Sequence, residues 1–141
     1  MSRSGYIEDC EQWDLIRWRG AVASAIRGKN GQLFLLEMLA ALDALPSKCL
    51  IQGYLEYNGE YCALGSVGRR RGLDMSKLDP YDTESIADIF RIPTALAAEI
   101  EFMNDEESCW ETPEQRFESM RNWILENLRD YEVTTTCGES P

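Results

Sequence analysis

Between Gln32 and Leu45 the polar residues are Gln32, Glu37 and Asp43, and everything else is apolar. The run is bounded by Gly28-Lys29-Asn30-Gly31 before it and by Pro46 after it. A helix that is apolar on every side belongs in the middle of a core, and proline halts it. The remaining elements have to wrap around this helix, so truncating Leu36, Leu39 or Leu42 is expected to open a core cavity. Upstream, Leu15, Trp18, Val22 and Ile26 recur at helical spacing, which predicts an amphipathic helix from Glu11 to Arg27. Gly20, Ala21, Ala23, Ser24 and Ala25 keep one side of it slim, so that another backbone can approach closely.

Downstream the punctuation changes. Leu50 to Tyr57, Asn58-Gly59 and Glu60 to Cys62 read as a β-hairpin, because Asn-Gly suits a two-residue turn with positive φ at both positions. Residues 63–72 fit either a continuing strand or a short helix, and Gly65 and Gly68 weaken both. Leu73 to Pro80 connects. Thr83 is the candidate cap of a helix running to Phe90, and Pro93 opens another that ends near Asn104. An acidic loop, Asp105-Glu106-Glu107, follows. Thr112-Pro113-Glu114-Gln115 combines an N-cap threonine, proline at the first helical position and glutamine at the third. Phe117, Met120, Trp123, Ile124 and Leu128 form the buried stripe of that last helix. A chain of 141 residues, 44% hydrophobic, holds one ordinary core. The expectation is a mostly helical α+β domain with a small β-hairpin over residues 1–132, followed by a flexible tail at 133–141.

Charge narrows the range of functions. There are 25 acids against 14 bases and no histidine, a net charge of −11. Residues 1–73 hold 8 acids and 9 bases; residues 74–141 hold 17 acids and 5 bases, a net of −12. Such a field repels DNA, RNA and anionic lipid and attracts basic surfaces. No apolar run reaches membrane-spanning length, and the start, Met1-Ser2-Arg3-Ser4-Gly5, lacks a signal-peptide core. Cys10, Cys49, Cys62, Cys109 and Cys137 are odd in number and form no C-x-x-C pair, which fits reduced thiols in a cytoplasm.

Catalytic constellations are hard to assemble from these residues. Without histidine there is no Ser-His or Cys-His pair, and cysteine and carboxylate spacing does not suit a metal site. Neither an enzyme nor a cofactor is expected. Gly65-Ser66-Val67-Gly68-Arg69 is glycine-rich but lacks the lysine of a phosphate loop. Cys62 could be activated by a helix N-terminus and Arg69 to Arg71, but it reads better as a buried structural thiol. The arginine run itself reads as charge balance, and Trp13, Trp18, Trp110 and Trp123 read as core and rim packing rather than a stacking platform. Ser85 to Phe102 has the outline of a helix-turn-helix around Ala87, Arg91-Ile92-Pro93, Leu96 and Ile100. Its second helix offers Thr94, Glu99, Glu101 and Asn104, and carboxylates facing a phosphate groove are repelled. It reads as a structural helical hairpin.

Trp18-Arg19-Gly20-Ala21-Val22-Ala23-Ser24-Ala25-Ile26-Arg27-Gly28, Cys62-Ala63-Leu64-Gly65, and Asn104-Asp105 with Thr112-Pro113-Glu114-Gln115-Arg116 together resemble a group of small acidic proteins encoded by bacteriophages and prophages. The resemblance runs from the first helix to the last. It carries over no catalytic or binding residue. It implies a phage context in a bacterial host cytoplasm and, by analogy, an anti-defence role of the anti-CRISPR kind. The partner would then be a bacterial protein or nucleoprotein with a basic surface, with no direct contact to nucleic acid or membrane. Glu99, Glu101, Asp105, Glu106 and Glu107 are the candidate contact residues, read as lying on the exposed side of the helix after Pro93 and in its loop. The alternative is an accessory protein that binds another protein through a helical groove.

Overall fold

The computed structural model describes residues 12–107 and 110–129, with side chains from residue 16 onward. The proposed tail at 133–141 lies outside the described residues. The described chain runs α1 (Gln12–Arg27), α2 (Lys29–Asp43), β1 (Glu56–Tyr57), β2 (Glu60–Tyr61), α3 (Ala63–Arg71), α4 (Thr83–Phe90), α5 (Thr94–Glu101), a π-helical segment (Phe102–Glu107) and α6 (Pro113–Asn127). This is a mostly helical α+β architecture with one small antiparallel hairpin.

Helix α2 packs against α1, α3 and α6. Its inner face, Leu35, Met38 and Leu42, meets Leu64 and Val67 of α3, Ile86 and Phe90 of α4, Leu96 and Ile100 of α5, and Met120 and Ile124 of α6 in one core. The all-round burial expected of α2 is not found. Leu33 is 50% exposed, Ala40 is exposed, and Leu36 and Leu39 are half-buried. The neighbours explain why. Gln32 and Asp43 bond to the α6 side, and Glu37 bonds to Arg71 of α3. These contacts fix two flanks of α2, and Leu33 and Ala40 fall on the side that neither flank covers. The slim side of α1 also differs from expectation. Gly20, Ala21 and Ser24 face outward, and the close approach occurs at the far end, where a Cβ on Gly31 would sit 1.8 Å from the Ala25 carbonyl oxygen.

Local signals explain most element boundaries. Asn58 and Gly59 take φ of 53° and 78°, as an Asn-Gly turn requires, but each strand is two residues long, far shorter than the pattern suggested. Ile51 still donates to the Tyr61 carbonyl and Cys62 to that of Leu55, so the backbone runs alongside itself beyond the ladder. Residues 63–71 resolve as helix. The Cys62 Sγ accepts from the Gly65 amide at 3.3 Å and caps it, and Gly72 ends it in the left-handed region. Helix α4 is capped by Asp82, not Thr83: the Asp82 carboxylate accepts from the Ser85 amide. The Thr112–Gln115 capping box of α6 forms with both reciprocal bonds. The acidic loop is not a loop. The chain continues from α5 straight into the π-helical turn over Phe102–Glu107.

The helix-turn-helix outline becomes α4 and α5, with Arg91 in the left-handed region between them. Leu96, Ala97, Ala98, Ile100 and Glu101 are all buried, and α5 packs on α1, α3 and α4. Thr94 is the one exposed residue of α5, with Ala95 and Glu99 half-buried, so most of the helix is taken up in packing.

Two predictions follow from α2. Leu42→Ala removes a fully buried side chain and should cost about 2–5 kcal/mol in chemical denaturation, whereas Leu33→Ala should stay within about 0.5 kcal/mol of the parent. Equal costs would mean that the outer side of α2 is covered. The second concerns Glu37, whose carboxylate accepts from Arg71 Nε at 2.7 Å and Nη2 at 2.6 Å. The Arg71 hydrogen bond holds the Glu37 carboxyl below its ordinary value of 4.5, against the opposing effect of burial. A depressed folded pKa gives stability that is complete above the unfolded value and is lost as pH falls through the folded one. Glu37→Gln should therefore cost about 1 kcal/mol at pH 7, and that difference should disappear in denaturation curves taken well below pH 4.5.

Candidate interaction surface

The π-helical turn places Asn104 inward and Glu107 outward. The Asn104 side chain is buried and bonds three ways. Its Oδ1 accepts from the Ala63 amide at 3.1 Å, and its Nδ2 donates to the Ile51 carbonyl at 2.9 Å and to Asp105 Oδ1 at 2.6 Å. Asp105 completes the clamp: its carbonyl accepts from Gln52 Nε2 at 2.7 Å and its Oδ1 from the Gly53 amide at 3.4 Å. On the opposite side Arg116, buried in α6, donates to the Leu50 carbonyl at 2.9 Å, and the Leu50 amide donates to the Pro113 carbonyl. Gly65 lets α3 come so close that a Cβ there would lie 1.8 Å from the Leu55 carbonyl oxygen. The segments Cys62–Gly65, Asn104-Asp105 and Thr112–Arg116, far apart in sequence, thus converge on the loop that carries the hairpin.

This geometry divides the five nominated acids. Glu101 is 1% exposed, and its Oε1 accepts from Thr83 Oγ1 at 3.0 Å, tying the end of α5 to the start of α4. It is not on the exposed side of its helix, and a macromolecular partner does not reach it. Helix α5 is covered by α1 and α4 together, so the outward face assumed for Glu101 does not exist. Asp105 is occupied in the clamp. Glu99 and Glu106 are half-buried, and Glu107 is exposed. The remaining surface acids are spread more widely. Asp74, Asp79 and Asp82 turn to Ser76, Tyr81 and Ser85 in local turns and caps. Glu84, Asp88, Glu114, Glu118 and Glu126 are exposed along α4 and α6.

Three of the four arginines of this half, all but the exposed Arg91, are engaged with the fold. Arg116 donates to the carbonyls of Leu50 and Glu111, Arg121 pairs with Asp43 at 2.9 Å, and Arg129 donates to the Arg27 carbonyl. From the arginine run, Arg71 pairs with Glu37 and lies 5.7 Å from the ring centres of both Phe34 and Phe90, and Arg69 lies 6.0 Å from that of Tyr61.

Charge reading alone missed the aromatics. Tyr54 and Tyr57 on the hairpin are 51% and 56% exposed, with their rings stacked at 5.0 Å and tilted by 26°. Trp110 is 94% exposed, so it is not the packing residue the sequence suggested, whereas Trp123 is buried and Trp18 packs against the core. The side chain of Trp13 lies outside the described residues. The adjacent Asn-Gly turn was the available signal for the tyrosines: a two-residue hairpin this short has little room to bury side chains on both faces.

Cys62 is buried as the cap of α3. Burial pushes the Cys49 thiol up, and the neighbouring Glu60 and Glu114 add to that shift. Among the described residues no three metal-ligating side chains gather as a cation site, and no helix is long and apolar enough to cross a membrane.

Replacing Asn104 with alanine leaves the Ala63 amide and the Ile51 carbonyl without their partner and should cost about 2–3 kcal/mol. The Ala63 amide should also exchange faster in hydrogen-exchange NMR, even at denaturant concentrations where α2 stays protected. An Ala63 amide that stays protected in the variant would show that the clamp does not depend on this side chain.

No family model, curated protein or solved structure matches the chain.

Proposed function

We propose that this protein is a non-enzymatic binding protein that docks on a basic, nucleic-acid-binding surface of a bacterial defence complex, in the manner of phage-encoded anti-CRISPR inhibitors. The observation that carries the reading is the charge: a net of −12 over residues 74–141, with Arg116, Arg121 and Arg129 of that half bonded to carbonyls and to Asp43. Negative charge left facing outward accelerates encounter with a basic patch and competes with the phosphate backbone for it. The phage setting and the defence target rest on the resemblance alone.

Within the cluster, Glu106 and Glu107 are the positions to change. Reversing Asp105 as well would break the clamp on Gly53 and Asn104 and confuse folding with binding. A second reading, capture of a partner helix in an apolar groove, is favoured by the exposure of Leu33 on α2 and Leu125 on α6.

Ionic strength separates the two readings. Surface plasmon resonance against purified CRISPR effector complexes and defence nucleases should show binding that falls steeply with salt and is displaced by nucleic acid. Glu106→Lys with Glu107→Lys should slow association about tenfold or more at low salt, with the melting temperature of the variant measured alongside to keep folding apart from binding. Association unaffected by this double reversal and by salt would reject the charge-led reading and favour the groove.

A further inference from the structure

The β-hairpin is held more firmly than its share of the core explains. Two residue pairs make the ladder, Glu56 with Tyr61 and Tyr57 with Glu60, and an isolated hairpin of that size does not hold its shape in water. Here its base is gripped by Asn104, Asp105 and Arg116 through the carbonyls and amides of Leu50, Ile51 and Gly53. Leu50 and Leu55 enter the core, while Tyr54, Glu56, Tyr57 and Glu60 face outward.

Those outward groups share a chemistry. Tyr54 and Tyr57 present two stacked rings, each about half exposed. Tyr57 lies directly across the ladder from Glu60, so a carboxylate stands beside an aromatic face. No lysine or arginine occurs between Cys49 and Val67. A guanidinium suits such a surface: its flat face stacks on tyrosine while its edge donates to carboxylates, and a lysine ammonium does not do both. The chain packs its own Arg69 near the ring of the third hairpin tyrosine, Tyr61.

We infer that the stacked Tyr54–Tyr57 pair, with Glu60 beside it, is a docking surface for an arginine-bearing segment of a partner protein. The inference rests on the reading that the partner is basic, and it adds that recognition discriminates arginine from lysine at a fixed place. Rigid tyrosines on a braced element lose little conformational freedom on binding, which is why tyrosine is enriched among dominant interface residues.

The test uses the full chain and two blocked octapeptides, alternating glycine with arginine in one and glycine with lysine in the other, equal in charge. Titration by NMR at fixed ionic strength should give at least threefold tighter binding of the arginine peptide, with the largest shifts at Tyr54, Tyr57 and Glu60. Tyr54→Leu with Tyr57→Leu keeps apolar bulk on the hairpin but removes the rings, and should bring the ratio of the two affinities to one. Tyr54→Phe with Tyr57→Phe should restore it. Glu106→Lys with Glu107→Lys should weaken both peptides together and leave the ratio intact, so failure of the wider charge reading is told apart from failure of this one. Equal affinities in the parent, shifts centred elsewhere, or a preference that survives the leucine pair would overturn the assignment.

Discussion

The amide of Asn104 connects three parts of the chain that are distant in sequence. It accepts from the first amide of α3, donates to the loop before the hairpin, and orients the Asp105 carboxylate that holds Gly53. A buried amide with its partners in place specifies one arrangement, because any shift strands several polar groups at once. The π-helical turn makes this possible. Asn104 and Asp105 both address the same loop, and the wider turn over Phe102–Glu107 supplies the local departure from α5 geometry where they do so. Gln32 plays the matching part at the other end of the core, bonding to Ile26, Asn127 and the Arg129 amide and so locking α1, α2 and α6 together. The hydrophobic core makes the domain compact, and these two amides settle how its elements are placed.

Much of the helical framework was legible because its signals are local. The Thr112–Gln115 capping box, the Asn58-Gly59 turn, Pro46 after α2 and the apolar stripe of α6 each act within a few residues of where they are written. What escaped was set by distant partners. Whether residues 63–71 form helix or strand turned on Cys62 capping Gly65 and on Asn104, 41 residues away, receiving the Ala63 amide. Leu33 looked as apolar as Leu42, and its exposure follows from where α3 and α6 sit. Glu101 looked like a surface acid because charge alone suggests solvent, and a buried carboxylate is recognised only once Thr83 is seen against it.

The candidate surface shows the same limit more sharply. The asymmetry of charge between the halves was readable directly from the residue counts, but which acids belong to the surface was not. Two of the five nominated residues, Glu101 and Asp105, brace the fold. Their burial or engagement moves attention from a compact acidic loop to a broader negative field over α4, the π-helical turn and α6. The segments Cys62–Gly65, Asn104-Asp105 and Thr112–Arg116 position the hairpin loop, through bonds and packing that no one of them shows in its own sequence.

That shift separates two tasks an interface has to perform. Diffuse carboxylates act at a distance: they raise the frequency of encounter and orient the approach, and salt weakens them in proportion. They do not by themselves give a long-lived complex, because exposed ion pairs contribute little once formed. Lifetime is set by a few desolvated anchors, commonly aromatic. Tyr54 and Tyr57 have the exposure, the mutual stacking and the fixed mounting such anchors require. On this division, charge reversal at Glu106 and Glu107 acts mainly on association, and loss of the tyrosine rings acts mainly on dissociation. Time-resolved binding separates those two effects where an equilibrium constant alone would merge them. Under the proposed function the steering charge would lie mainly on helices and the anchors on a clamped hairpin, so each could be varied by itself at positions outside the Asn104–Asp105 clamp.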